Sequence, residues 1–218
     1  SMIKFMKDEY GVDPVYEAQA GEKETDFRSF LLKAKAANPD AIVLSGLVDE
    51  TVRALKQSYE VGIPKSVARV ANSVASKVEV PTNAGKAAVG VTYAAAFASD
   101  KRPIAKKFVK KIKDTYGVVP GHDFSQMQDL LDMLRPALES AQLKFSGDLA
   151  ADRNQVRDSI AGITNFTGLA SGPIGFCAAG SPECRDGNKT PVMIEYTKGG
   201  KNWKTKVAGT VTFNPSAG

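Results

Sequence analysis

Residues 24–64, ETDFRSFLLKAKAANPDAIVLSGLVDETVRALKQSYEVGIP, decide the fold, because helix, strand, polar loop and helix follow one another with each boundary chemically marked. Phe27, Phe30, Leu31 and Ala34 recur at the spacing of one helical face, and Thr25 or Asp26 can cap the first free backbone N–H groups. Asn38-Pro39 then stops the helix. Ala41, Ile42, Val43 and Leu44 form a short apolar run without alternation, which predicts a strand covered on both faces. The run ends in Ser45-Gly46, at the carboxyl edge where open α/β sheets place their ligands. Asp49 can cap a second helix, whose Val52, Leu55 and Tyr59 are expected to face inward before Gly62 and Pro64 end it.

Residues 3–10 read as a helix and 14–19 as a strand, with further strands at 66–70 and 89–93. Together with the two helices of the opening stretch, these give the β-α-β-α-β order of a right-handed parallel sheet. Three helices are expected next, near 103–116, 124–142 and 152–162. Met127, Leu131, Leu134, Leu138 and Ala141 supply a stripe expected to be buried on the middle one. Pro136 interrupts that helix and removes the bond to the Asp132 carbonyl, which predicts a kink. PVMIEYTKGGKNWKTKVAGTVTF, at 191–213, alternates apolar and polar residues around Gly199-Gly200 and reads as a β-hairpin.

The pattern DFRSFLLKAKAANPDAIVLSG, followed by a capped helix ending in VGIP, resembles the second lobe of type I solute-binding proteins of ABC importers. The resemblance is to the branched-chain amino acid, amide and aromatic-acid branch. GVTYAAAF before a basic helix and DTYG, then QMQDLLDMLRPALESA, then ITNFTGLASGPIGF keep that family's order, so the likeness covers nearly the whole chain. The fold it implies is α/β: a three-layer parallel-sheet lobe with crossing helices and a C-terminal β-hairpin. Its divisions fall at 3–96 for the second-lobe sheet, whose first strand is missing, 97–170 for the helical segment crossing toward the first lobe, and 171–218 for the return strands and hairpin. Ser1-Met2 reads as a cloning remnant, and the resemblance implies a complete first lobe, and a signal peptide in the precursor, ahead of this sequence.

At 218 residues, 43% apolar and 24% charged, the chain can bury a core. The net charge of +5 invites a nucleic-acid reading. However, Lys106, Lys107, Lys110, Lys111 and Lys113 surround Ile104, Phe108 and Ile112 on one helix with Pro103 at its start and Gly117 at its end, the pattern of a solvated face. No nucleic-acid-binding motif accompanies it, and no apolar stretch approaches the roughly 18 residues that span a bilayer. Cys177 and Cys184 are the only cysteines and lie close together in a turn-rich stretch. A disulfide explains them more simply than a metal site and favours an oxidising compartment such as the periplasm; two free thiols are the alternative.

Catalysis finds little support in these residues. His122 is the only histidine, without a cysteine or a GxSxG elbow to pair with, and reads as a solvated or capping residue. No glycine-rich phosphate loop follows any strand, and no cofactor or metal is expected. A binding cleft needs only polar groups and aromatic faces at strand ends. Ser45 and Gly46 stand at one such end, and the resemblance places Leu47 where relatives often carry a larger contact residue. Asn72 and Ser73 follow the next strand, as ligand contacts or as an Asx-turn or helix cap. Tyr93 and Phe97 lie where a ring either lines the cleft or packs in the core. QMQDLLDML aligns with the family's GYDAVQLL, which puts Gln128 at the usual tyrosine and Asp129 at the aspartate, with Gln126 nearby.

The branched-chain amino acid binders hold the ligand ammonium with an acidic residue in the loop after the 66–70 strand. That loop here is VANSVAS, with neither Asp nor Glu. An unpaired ammonium in a closed cleft is costly, so an aromatic or other carboxylate, or a neutral amide, is expected over leucine, isoleucine or valine. The implied function is a non-enzymatic, periplasmic solute-binding protein that presents its solute to an ABC permease. A ligand-sensing regulatory domain of the same fold, or branched-chain amino acid binding, is the alternative. Alone, the chain is expected to self-associate.

Overall fold

The computed structural model describes residues 2–21, 23–97, 102–141, 147–169, 174–176 and 191–210. Helix α1 (Met2–Tyr10) comes first, then α2 (Arg28–Ala36), β1 (Ala41–Leu44), α3 (Val48–Glu60) and β2 (Ala68–Ala71). A 3-10 turn (Ser73–Ser76), α4 (Glu79–Ala84) and a second 3-10 turn (Gly85–Ala88) lead into β3 (Val91–Ala95). Then follow α5 (Pro103–Tyr116), α6 (His122–Ser140), α7 (Leu149–Ala161), β4 (Val192–Lys198) and β5 (Lys204–Thr210). Among the described residues the strands form one five-stranded sheet in the order β1-β2-β3-β4-β5. β1, β2 and β3 run parallel, with Val43 opposite Val70 and Ala71 opposite Tyr93, while the short connection from β4 to β5 makes that pair a hairpin.

Two compact units divide the chain, one made of Ser1–Tyr93 with Glu195–Lys206, the other of Ala94–Ile194 with Val207–Gly218. In the first, Leu31, Ile63 and Val67 form a core cluster with Phe27, Ile42 and Val61 packed on it. Each such buried aliphatic side chain contributes roughly 1.5–3 kcal/mol. Leu55 and Val52 of α3 are buried as expected, but Tyr59 is 43% exposed. Its ring lies under the Lys86 ammonium, 4.6 Å from the ring centroid, an exposed cation–π contact that keeps the tyrosine at the surface. α3 ends where expected, with Gly62 at φ +68, the left-handed conformation that a side chain would strain.

Two further expectations are corrected in this unit, and a third stretch is new. Residues 14–19 form no strand: they lie outside the sheet, and Val15 is 68% exposed, because β1 pairs only with β2 and an extended segment without a neighbour forms no ladder. β1 is half covered: Ile42 joins the core cluster while Val43 is 51% exposed, so the unbroken apolar run does not mark a strand buried on both faces. The stretch before β3 is helical, and Pro81 is tolerated in α4 because it stands in the first turn, where the N–H has no helical acceptor.

The hairpin returns to this unit and docks through its tip. The Gly200 N–H donates to the Pro81 carbonyl at 2.8 Å and the Gly90 N–H to the Tyr196 carbonyl at 2.8 Å. Tyr196 is buried, its ring 5.2 Å from that of Tyr93 and 6.1 Å from that of Trp203, and its hydroxyl donates to the Ala75 carbonyl. Burial drives the Tyr196 phenol well above its ordinary pKa, so this hydroxyl stays protonated and keeps its role as donor.

In the second unit, Phe97, Ala105 and Leu169 form a buried cluster with Phe108 and Val109 packed against it. α5 begins at Pro103 and is closed by Gly117 at φ +72, as its sequence predicts. The expected buried stripe of α6 is overturned for most of its length: Met127 and Leu131 are each 57% exposed and Leu138 is 40% exposed, Leu134 is half-buried, and Ala141, just past the helix end, is buried as expected. Within the helix the buried positions are Ser125, Asp129 and Ala137, one turn apart from one another or two. The reason is the Asp129 carboxylate, which accepts the Leu169 N–H at 2.6 Å and turns that polar side of the helix inward. α6 runs as one helix through Pro136.

Candidate functional site

At the carboxyl ends of β1 and β2 lies an open cavity of about 560 Å³, lined by Lys23, Glu24, Thr25, Leu47, Val48, Asp49, Glu50, Arg53, Val74 and Lys77. That volume falls within the range of small-molecule sites. Its shape follows from local chemistry. Glu50, three residues into the loop-to-helix junction, turns back so that its Oε2 accepts the Leu47 N–H at 2.7 Å, the carboxylate half of a capping box. Leu47 is the residue that precedes α3, so the cap expected at Asp49 is instead this backward contact, with Asp49 inside the first turn. Gly46 makes room for it, since a Cβ there would stand 2.9 Å from that same Oε2. Leu47 is left 71% exposed over the cavity.

The neighbouring loop is tied to this one. The Asn72 N–H donates to the Leu44 carbonyl at 3.2 Å and its Nδ2 to the Gly46 carbonyl at 3.1 Å, while its Oδ1 is buried with no hydrogen-bond partner. A third wall comes from residues 23–25, where Glu24 Oε1 accepts the Thr25 and Asp26 N–H groups at 2.8 and 2.9 Å. Three acidic side chains therefore reach the cavity although the loop after β2 has none. Two of them, Glu24 and Glu50, already hold backbone amides.

Of the residues singled out in the sequence, Leu47 lines this cavity; Ser45, Gly46, Asn72 and Ser73 belong to the two loops beside it. Tyr93 and Phe97 are each 4% exposed, in the Tyr196 and Phe108 ring contacts respectively. Gln126 is exposed on α6, and Gln128 Nε2 donates to Asp132 Oδ1 at 2.9 Å. These two glutamines and Phe97 belong to the second unit. His122, at the start of α6, contacts Asp123 Oδ1 through Nε2 at 2.8 Å. Cys177 and Cys184 lie outside the described residues. Missed in the sequence were Lys23, Glu24, Arg53 and Lys77; Arg53 could have been found, because it follows Asp49 by one helical turn and shares its face.

Among the described residues no cluster of His, Cys, Asp or Glu is placed to hold a metal ion, and no helix is long and apolar enough to cross a membrane. A parallel sheet with a ligand-sized cavity at its carboxyl edge defines the class, and the family follows: residues 4–183 match the periplasmic binding protein family, to which this chain belongs. No curated protein sequence matches the chain. Among solved structures, a leucine-binding protein of Thermotoga maritima is similar at 25% identity and a TM-score of 0.73, over 93% of this chain and 52% of that one. A branched-chain amino acid transporter substrate-binding protein of Streptococcus pneumoniae, in complex with isoleucine, gives 21% and 0.74 over 96% of this chain and 55% of its own. A solute-binding protein of an ABC transporter from R. palustris, in complex with benzoate, gives 18% and 0.73 over 96% and 54%. The chain thus spans about half the length of these structures, and its sheet and helices are those of the type I periplasmic binding fold.

Proposed function

We propose that this chain supplies one wall of the solute site of an extracytoplasmic solute-binding protein, which captures a small organic solute for an ABC permease and performs no chemistry on it. The observation that carries this reading is the cavity at the carboxyl ends of β1 and β2, floored by Leu47, in a chain of the periplasmic binding protein family. Two lobes closing over a ligand is a movement this architecture accommodates. An aromatic or other carboxylate is favoured over a branched-chain amino acid: VANSVAS offers no acidic group, and two of the three acids on the remaining walls are committed to backbone N–H groups. The similar structures include both a protein with benzoate bound and one with isoleucine bound, so the choice is an experimental one.

Thermal-shift screening of the full-length protein decides it, because a ligand that binds only the folded state stabilises it by about 2.7 kcal/mol at a hundred times its dissociation constant. Aromatic carboxylates are expected to raise the melting temperature. Stabilisation by leucine, isoleucine or valine alone would refute the assignment of solute class.

A further inference from the structure

We propose that Arg53 holds the carboxylate of the solute, a role that rests on reading the cavity as the solute site. Six charged side chains line that cavity: Lys23, Glu24, Asp49, Glu50, Arg53 and Lys77. Glu24 engages Oε1 with the amides of Thr25 and Asp26, Glu50 engages Oε2 with that of Leu47, and Lys77 has a partner of its own. The side chains of Lys23, Arg53 and Asp49 make no hydrogen bond or ion pair among the described residues. The six charges balance, since a carboxylate that accepts an N–H keeps its charge, but the charged donors left open to a ligand are those of Lys23 and Arg53.

Arg53 is the better placed cation by chemistry. Its planar guanidinium offers two parallel N–H donors that match a carboxylate, whereas an ammonium is a point charge on a flexible stem. It stands on α3, a rigid element, and not on a loop. Asp49 precedes it by four residues, a spacing at which an ion pair forms on many helices, yet no such pair is present here. An exposed pair of that kind is worth only about 0.3–0.5 kcal/mol, so a bidentate ligand carboxylate competes with it readily. Leu47, Val48 and Val74 supply apolar surface on the same cavity. Covering the exposed Leu47 favours a ligand with an apolar body. The ligand class that meets both demands is a small carboxylate attached to a flat or branched hydrocarbon.

The test compares benzoate with its neutral, near-isosteric amide, benzamide, by calorimetric titration of the full-length protein and of Arg53→Ala, Arg53→Lys and Leu47→Trp. Arg53 is exposed, so its replacement leaves the core intact. Wild type is expected to bind benzoate at least tenfold more tightly than benzamide, Arg53→Ala to lose that preference, and Arg53→Lys to keep part of it. An Arg53→Ala protein that still prefers benzoate tenfold overturns the proposal and leaves the cavity reading standing, as does a wild type that binds the two equally. Leu47→Trp separates the two readings: a large ring on the cavity wall should change the affinity for both ligands, and benzoate binding unchanged by it would remove the cavity as the solute site and Arg53 with it.

Discussion

Gln57 holds Phe27 in place at the entrance to α2: its Oε1 accepts the Phe27 N–H at 2.6 Å while its Nε2 donates to the Thr25 carbonyl at 2.9 Å. The side chain is 8% exposed, so α3 provides the cap that α2 lacks on its own residue 27. This clasp also fixes Thr25, a wall of the cavity. Two contacts between helices reinforce it, Arg28 to Glu60 at 2.6 Å and Lys35 to the Val61 carbonyl at 2.8 Å. Replacing Gln57 with alanine leaves a half-buried N–H and a carbonyl without this partner, at a cost of about 1 kcal/mol or more. Urea unfolding measures it; a loss well below that would show that water satisfies both groups.

Asp26 makes the same helix entrance sensitive to acid. The Arg28 backbone N–H, at 3.1 Å, is the main cause holding its carboxyl below the ordinary aspartate range; slight burial opposes this, and the Arg28 guanidinium at 3.0 Å adds to it. Because the folded value is depressed, the stabilisation is fully present above the unfolded value of about 3.9 and is lost as pH falls through the lower folded value. Wild type should therefore lose stability over that window faster than Asp26→Asn does. Parallel slopes of the unfolding midpoint for the two proteins below pH 5 would count against it.

Much of this was legible in the sequence where one residue type has one dominant use. Pro103, Gly62 and Gly117 mark helix ends because φ and N–H constraints are local, and the apolar face of α3 was found through Val52 and Leu55. The errors arose where local pattern and tertiary context diverge. Val43 belongs to an unbroken apolar run but has cover on one side only, and residues 14–19 have strand-like composition but no neighbouring strand. On α6, leucines and methionine read as core while a buried aspartate, paired to a distant loop, sets which face turns inward. The cavity was half legible: Leu47 follows a strand end, but Lys23, Glu24 and Arg53 converge on it from segments whose meeting only the fold determines.

Gly199 is expected to admit no side chain at all. A Cβ there would lie 1.7 Å from the Gly85 carbonyl oxygen and 2.6 Å from its carbon, and both contacts are backbone, which cannot rotate aside. Gly199→Ala should undock the hairpin tip at a cost of about 1–3 kcal/mol or more, whereas Gly209→Ala, with open space around it, should lose only the strand entropy of glycine in reverse and remain near wild type. Equal stability of the two variants in thermal unfolding would sink this account.

Cys177 and Cys184 are expected to form a disulfide in protein exported to an oxidising compartment. Peptide mapping without reductant should recover the two cysteine peptides as one linked species. Recovery of both as freely alkylated thiols would defeat the expectation.

The apolar face of α6 gives the last prediction. Phe124, Met127, Leu130 and Leu131 are between 48% and 57% exposed on one helix, a contiguous patch of the kind that marks an interaction surface. Phe108, in contrast, is packed against the cluster of Phe97, Ala105 and Leu169, so α5 contributes less to such a surface than its sequence suggests. The chain taken alone is expected to associate through this face, because covering four large side chains offsets much of the entropic cost of joining two copies. Light scattering at tens of micromolar should then give a mass above the 23.2 kDa of one chain, falling toward it in the double variant Met127→Gln with Leu131→Gln. Both residues lie on the exposed side, so the change spares the buried line of Ser125, Asp129 and Ala137 and should leave the helix content seen by circular dichroism intact. A wild-type chain that stays monomeric at those concentrations would rule the association out.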